Sequence, residues 1–242
     1  MDLRRKLFPT GPDFVGPLFT MLMMMALLPA RGAFAADDLA SVLSKLDAAS
    51  ARFHTTSADF EFDATQTDPV PDTDVQTGTV YYQRSGTNFQ MGAHIEKDNG
   101  QPAPKVVVCC VKGSIQLYEK LPDQVTTLSK LSQYHDWFML GFGASGKELE
   151  EKWEIKYDGE ETVDGVKTAK LELTPKDPSV KKNLPKVIVW MDTERGISLK
   201  QYFDEGQGQS RTAHYTNIKV NQALPKDAFT FATDKKTTYI NR

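Results

Sequence analysis

The sequence predicts an α+β protein: an open, incomplete antiparallel β-barrel of roughly ten to eleven strands, with an N-terminal helix and mid-chain helices forming a lid. Three observations carry this expectation. Short segments of alternating apolar and polar residues recur along the chain, separated by Gly-bearing turns. One stretch of helical spacing begins just after residue 36. Two more interrupt the strand series near its middle.

The first residues read as a leader. Arg4, Arg5 and Lys6 make a positive start, "PLFTMLMMMALL" from Pro17 to Leu28 is an apolar run, and Ala33-Phe34-Ala35 gives a small-x-small pattern. A signal peptide over residues 1–35 is expected, cleaved near Ala35-Ala36, with residues 36–242 forming a single exported domain. The apolar run is far shorter than the roughly 20 residues a spanning helix needs. No cysteine follows it, so lipid attachment at the new N-terminus is not expected. Removing four cations and two acids leaves 25 Lys and Arg against 30 Asp and Glu, a net charge of −5. That balance argues against nucleic acid as a partner.

From Asp37 to Phe53, apolar residues at 39, 42, 43, 46, 49 and 53 predict an amphipathic helix, with Asp37 or Asp38 as its cap. Strand signals follow in "ADFEFDATQT", "TVYYQR" and "NFQMGAHI", then a polar loop from Asp98 to Pro104. "KVVVCCV", "SIQLYE" and "QVTTL" continue the series, with Lys112-Gly113 as a turn. Apolar residues at 128, 131, 134, 138 and 142 predict a helix from Leu128 to Phe142. "GASGKELEEKW" restarts helical spacing behind a capping box of Ser145 and Glu148. Strands resume in "KWEIKY", "GVKTAKLEL", "KVIVWMD", "ISLKQYF" and "RTAHYTNIKV". Their turns carry Asp158-Gly159, Asp164-Gly165, "TERG" and "EGQGQ".

Catalytic chemistry is not visible. His54, His94, His135 and His214 lie far apart and in no metal-ligand spacing. His135 adjoins Asp136, but neighbouring helix residues do not face each other. The pairs Glu150-Glu151 and Glu160-Glu161 read as solvated surface. Neither a phosphate loop nor a nucleophile elbow is present, so no enzyme, cofactor or metal is expected. Cys109 and Cys110 are adjacent, and on a strand they point to opposite faces, which makes an ordinary disulfide between them geometrically poor. One buried and one outward thiol is the expectation; a vicinal redox pair or an intermolecular bridge is the alternative.

The strands carry matching apolar faces. Phe60 and Phe62, Val80 and Tyr82, Phe89 and Met91, and Ile115 and Leu117 supply the first half. Leu171 and Leu173, then Val187, Val189 and Met191, then Ile197 and Leu199 supply the second. A curved sheet turns such faces inward. They either fill an ordinary core or line a greasy cavity. Trp137, Phe138, Met139, Leu140 and Phe142 make the mid-chain helix apolar around most of its circumference, so it must be covered by protein or ligand. Gly141, Gly143 and Gly146 beside it are expected to act as hinges. Arg84 ends a strand face that begins with Val80 and Tyr82, where a cation is costly unless it reaches the rim or a partner.

"GTVYYQRSGTNF", "VKGSIQLYEKLPDQVTTLSKL", "LELTPKD" and the run "WMDTERGISLKQYFDEGQGQSRTAHYTNIKVNQALPKDAFTF" together resemble the LolA family of periplasmic lipoprotein carriers. The likeness extends over nearly the whole chain beyond the leader. Two departures stand out: Ser85 and Gly86 follow the arginine where the family has proline, and "CCVKG" replaces a polar pair before the glycine. The resemblance implies a periplasmic protein that takes the acyl chains of lipoproteins into a lidded hydrophobic cavity and moves them from inner to outer membrane. It implies that Arg84 latches the lid by hydrogen bonds to backbone carbonyls. It also implies a monomer, an inner-membrane ABC lipoprotein extractor as partner, and an outer-membrane acceptor of similar fold where the organism has one. Relatives of this fold that sense envelope stress or carry other lipids give the alternative.

Overall fold

Ala33, Ala35 and Ala36 are strong helix formers, and they extend the first helix backwards. Helix α1 runs Arg31–Ser50, so Asp37 and Asp38 lie within it and do not cap it. Leu39, Val42, Leu43 and Leu46 fall at i, i+3, i+4 and i+7 and form its inward stripe. The computed structural model describes residues 31–86, 88–111, 114–128 and 140–241, so residues 1–30 of the expected leader lie outside it. No described helix is long and apolar enough to cross a membrane.

Among the described residues twelve strands make one sheet. They are β1 (Thr55–Gln66), β2 (Asp72–Ser85), β3 (Asn88–Asp98), β4 (Gln101–Val111), β5 (Ser114–Glu119) and β6 (Gln124–Leu128), then β7 (Trp153–Val163), β8 (Val166–Pro175), β9 (Lys186–Asp192), β10 (Ile197–Gly206), β11 (Gln209–Val220) and β12 (Thr238–Asn241). Their order is β12-β6-β5-β4-β3-β2-β1-β11-β10-β9-β8-β7. Two antiparallel meanders, β1 to β6 and β7 to β11, meet where β1 pairs with β11. Strand β12 joins β6 in parallel. With β12 and β7 at its edges the sheet is unclosed, as expected, with one strand more than the upper count expected.

Register places the apolar residues in rows. Leu171, Val189, Gln201, Ala213 and Phe62 face one another in sequence across β8, β9, β10, β11 and β1. Tyr82, Met91, Cys109, Ile115 and Leu128 do the same across β2 to β6. Directly paired residues share a face, so each row lies on one side of the sheet.

Several local expectations are corrected. The expected loop from Asp98 to Pro104 is a tight hairpin. Asn99 and Gly100 have φ of 49° and 75°, the sign a primed two-residue turn requires. Asp158-Gly159 is a bulge inside β7, not a turn. Helix α2 (Gly146–Lys152) has the expected capping box. The expected helix from Leu128 to Phe142 is not found at its described ends. Leu128 closes β6, and Phe142 forms an isolated bridge with Ile197. Gly141 and Gly143, with φ of 82° and 73°, hold that stretch out of helical geometry. Residues 129–139 lie outside the described residues. Helix α3 (Pro178–Lys181) and β12, four residues each, are too short to show a period.

The cysteines are also corrected. Cys109 and Cys110 are joined by a disulfide. Strict alternation fails here because β4 carries a register shift between Cys109 and Val111, and Cys110 takes a φ of 75°. The sulfurs are thereby brought to the same side.

Candidate functional site

The chain leaves β6 near one edge of the sheet and re-enters it at β7 on the other. Within this connection, described from residue 140 on, residues 140–149 lie against the apolar face and straddle two clusters. Leu140, Ala144 and Leu149 join α1, Leu171, Leu173, Val187, Val189 and Met191. Phe142 joins Val80, Tyr82, Phe89, Met91, Cys109, Ile115 and Tyr215. Its ring stacks on Tyr82 at 3.9 Å between centroids and meets Tyr215 edge-on at 4.8 Å. This segment is a strap across the greasy side of the sheet.

Polar bonds hold the strap from below. Gln201 donates through Nε2 to the Leu140 carbonyl, and its Oε1 accepts from the Tyr215 hydroxyl at 3.1 Å. The Ser198 N–H donates to the Gly141 carbonyl at 2.6 Å, and the Gly143 N–H to that of Gly196 at 3.1 Å. Burial pushes the phenol pKa of both Tyr82 and Tyr215 up, so both stay neutral.

Arg84 clamps the strap at the end of β2. Its Nη1 donates to the Gly143 carbonyl at 2.7 Å and to Glu148 Oε2 at 3.1 Å, while Nη2 makes a short ion pair with Glu148 Oε1. The Ser50 hydroxyl, at the end of α1, donates to the same Gly143 carbonyl at 2.7 Å. Ser145 closes the arrangement: its N–H donates to Glu148 Oε2 at 2.8 Å, and the Glu148 N–H donates to its Oγ at 3.1 Å. A bidentate guanidinium–carboxylate pair and a shared carbonyl thus tie β2, α1 and α2 to one point. Partial burial pushes the Glu148 carboxyl up. The hydrogen bond from Arg84, the bonds from Ser145 and the Arg84 charge outweigh that and leave it below the usual carboxylate value.

The glycines of the strap are close-approach positions. A Cβ on Gly143 would come within 2.3 Å of the Phe53 ring, and one on Gly141 within 2.5 Å of Gln201 Nε2. Gly143→Ala is expected to cost about 2 kcal/mol, combining a left-handed backbone with an overpacked ring. Urea unfolding of the two proteins measures it.

The other sequence-predicted residues sort as follows. Phe60 and Phe62 sit half-buried at the margin of the second cluster. Leu199 is buried in the β10 bulge between Ser198 and Lys200. Leu117 is half-buried outside both clusters. Trp137, Phe138 and Met139 lie outside the described residues. Three partners are not expected from the sequence. Glu148 is visible there only as a capping residue, although a carboxylate at that box is also free to take a cation. Gln201 has a signal, a polar residue on the face that Ile197 and Leu199 begin. Ser50 carries none.

A family model described only as "Uncharacterized protein" matches residues 143–238. An uncharacterized protein of Methanocaldococcus jannaschii is 29% identical over 126 residues, which is 52% of this chain and 35% of that protein. The chain thus spans about a third of the length of the curated relative it matches. Among solved structures it is similar to an uncharacterized conserved protein from Thermus thermophilus, at 10% identity, 85% of this chain, 99% of that one and a TM-score of 0.52. It is similar also to MucB, at 17% identity, 81% of this chain, 63% of that one and a TM-score of 0.50. At these identities the likeness shows the fold alone. An open sheet, antiparallel except for β12, with an N-terminal helix is observed, as the sequence resemblance implied. A LolA superfamily protein from Nitrosomonas europaea is a further neighbour, at 16% identity, 80% of this chain, 97% of that one and a TM-score of 0.39.

Proposed function

We propose that this chain binds the acyl chains of lipids or lipoproteins against the apolar face of its sheet and carries them across the periplasm. The reading is one of binding and transfer, not of catalysis. One observation carries it: the strap covers that face with its own apolar side chains, yet is fastened by polar bonds that can be exchanged. An acyl chain in water costs about 0.8 kcal/mol per methylene, so a sixteen-carbon chain costs on the order of 12 kcal/mol. A carrier needs a dry surface for that chain and a means of surrendering it. A strap whose Phe142 and Leu140 re-cover the vacated face competes with the cargo and lowers net affinity, which favours release. Loading from an inner-membrane ABC extractor and delivery to an outer-membrane acceptor of similar fold belong to the same proposal, as does action as a monomer.

The fold shared with MucB favours a second reading, a binding module that takes lipid and signals without delivering it. Titration of a fluorescent palmitoyl probe into the purified protein tests the first. Saturable, stoichiometric binding is the expected result, together with faster hydrogen exchange of residues 140–149 in the loaded state. Absence of saturable binding would remove the proposal. Movement of the bound probe on to acceptor vesicles separates carriage from sensing.

A further inference from the structure

The apolar row across β8 to β1 contains one polar residue, Gln201, which is 3% exposed. Its amide is fixed at both ends. Oε1 accepts from the Tyr215 hydroxyl, and Nε2 donates to the Leu140 carbonyl of the strap. The reverse orientation would oppose two acceptors, so the donor faces the strap. Beside it the Ser198 N–H, also buried, donates to the next strap carbonyl, that of Gly141. Two buried donors therefore point from the sheet into the strap, where two backbone carbonyls satisfy them. Gly141 lets the strap backbone come this near, because a side chain there would strike Gln201 and Ser198.

We propose that Gln201, with the Ser198 N–H, recognises the ester or amide carbonyl by which an acyl chain is attached, and that the Leu140 and Gly141 carbonyls stand in for it in the closed state. The inference rests on the acyl-binding reading and names the polar part of that ligand. When the strap lifts, a bare hydrocarbon leaves both donors unpaired in an apolar setting, which costs as much as a lost hydrogen bond or more. A ligand with a carbonyl at the head of its chain restores the bond. Gln201 would thus select acyl chains over alkyl chains of the same length and set how deep the chain enters.

Two lysophospholipids that differ only at this group provide the test: 1-palmitoyl-lysophosphatidylcholine, an ester, and 1-O-hexadecyl-lysophosphatidylcholine, its ether. Each is titrated calorimetrically into the full chain below its micelle concentration. The ester is expected to bind about five- to tenfold more tightly, the worth of one neutral hydrogen bond. In Gln201→Met, which keeps length and apolar volume, the ester preference is expected to fall to the part the Ser198 N–H alone supports, at least two- to threefold below that of the wild type, with ether affinity unchanged or higher. Gln201→Asn, which retains the amide on a shorter stem, is expected to recover part of the preference. The wild-type comparison stands even if a variant fails to fold. Equal, saturable binding of ester and ether by the wild type would overturn the carbonyl site and leave the acyl-binding reading standing. An ester preference undiminished from the wild type in a folded Gln201→Met variant would also overturn it. Binding of neither ligand would overturn both.

Discussion

Phe142→Ala is expected to lower stability by about 3–5 kcal/mol, the range for truncating a fully buried aromatic side chain. The ring has no exposed surface and lies between Tyr82 and Tyr215. Its loss removes a stacked and an edge-on contact together with the apolar area it buries. Guanidinium unfolding of wild type and variant measures the difference. A second measurement separates a strap that yields to ligand from ordinary core filler. If an acyl chain takes the position of this ring, the palmitoyl probe should raise the melting temperature of Phe142→Ala more than that of the wild type. Equal increments would mean that the ligand does not reach the ring, and the displacement mechanism would then be wrong.

Arg84→Leu is expected to loosen the strap while leaving the sheet intact. The guanidinium, 18% exposed, holds Glu148, 40% exposed, and the Gly143 carbonyl, so its removal deprives three elements of their common tie. Because Glu148 is partly in water, the loss of stability is tempered to about 2 kcal/mol, below that for a fully buried pair. The functional effect should be larger than the thermal one. Amides of residues 140–149 should exchange faster, the palmitoyl probe should bind more tightly because the strap competes less, and transfer to acceptor vesicles should slow. Wild-type transfer rates in this variant would end the latch role of Arg84. Acid gives an independent handle. The Glu148 carboxyl is held below its usual range in the folded protein, so its stabilisation is present above the unfolded carboxylate value. It is lost as the pH falls through the folded one. The melting-temperature gap between wild type and Glu148→Gln should accordingly shrink between pH 7 and acid.

The strands are legible in the sequence because most have one buried face, and a period of two is then written in the residues themselves. Val187, Val189 and Met191 need no tertiary information to be placed together. The capping box at Ser145 is legible for a similar reason, since both of its members lie within one turn. The strap misleads at its described end, where the expected helix would run on through Leu140 to Phe142. Leu140 and Phe142 point to different clusters, and the left-handed glycines between and after them matter more than the period. The Arg84–Glu148 tie joins residues 64 positions apart, and nothing local to either announces the other. The disulfide is hidden because it depends on a bulge, which sets aside the alternation rule by which two neighbouring cysteines are judged.

The seam between the first and eleventh strands bears on how the molecule is made. Asn217 donates to Asp59 across 158 positions of chain, and on either side the sheet continues only between sequence neighbours until β12 is reached. Each meander can form locally and quickly, but the join must close a loop of 158 positions, which is slow and entropically costly. Until β11 emerges from the ribosome, β1 keeps a naked edge and the greasy rows stay unmatched. A nascent chain of this design remains unfinished, and therefore threadable, until its eleventh strand has been synthesised.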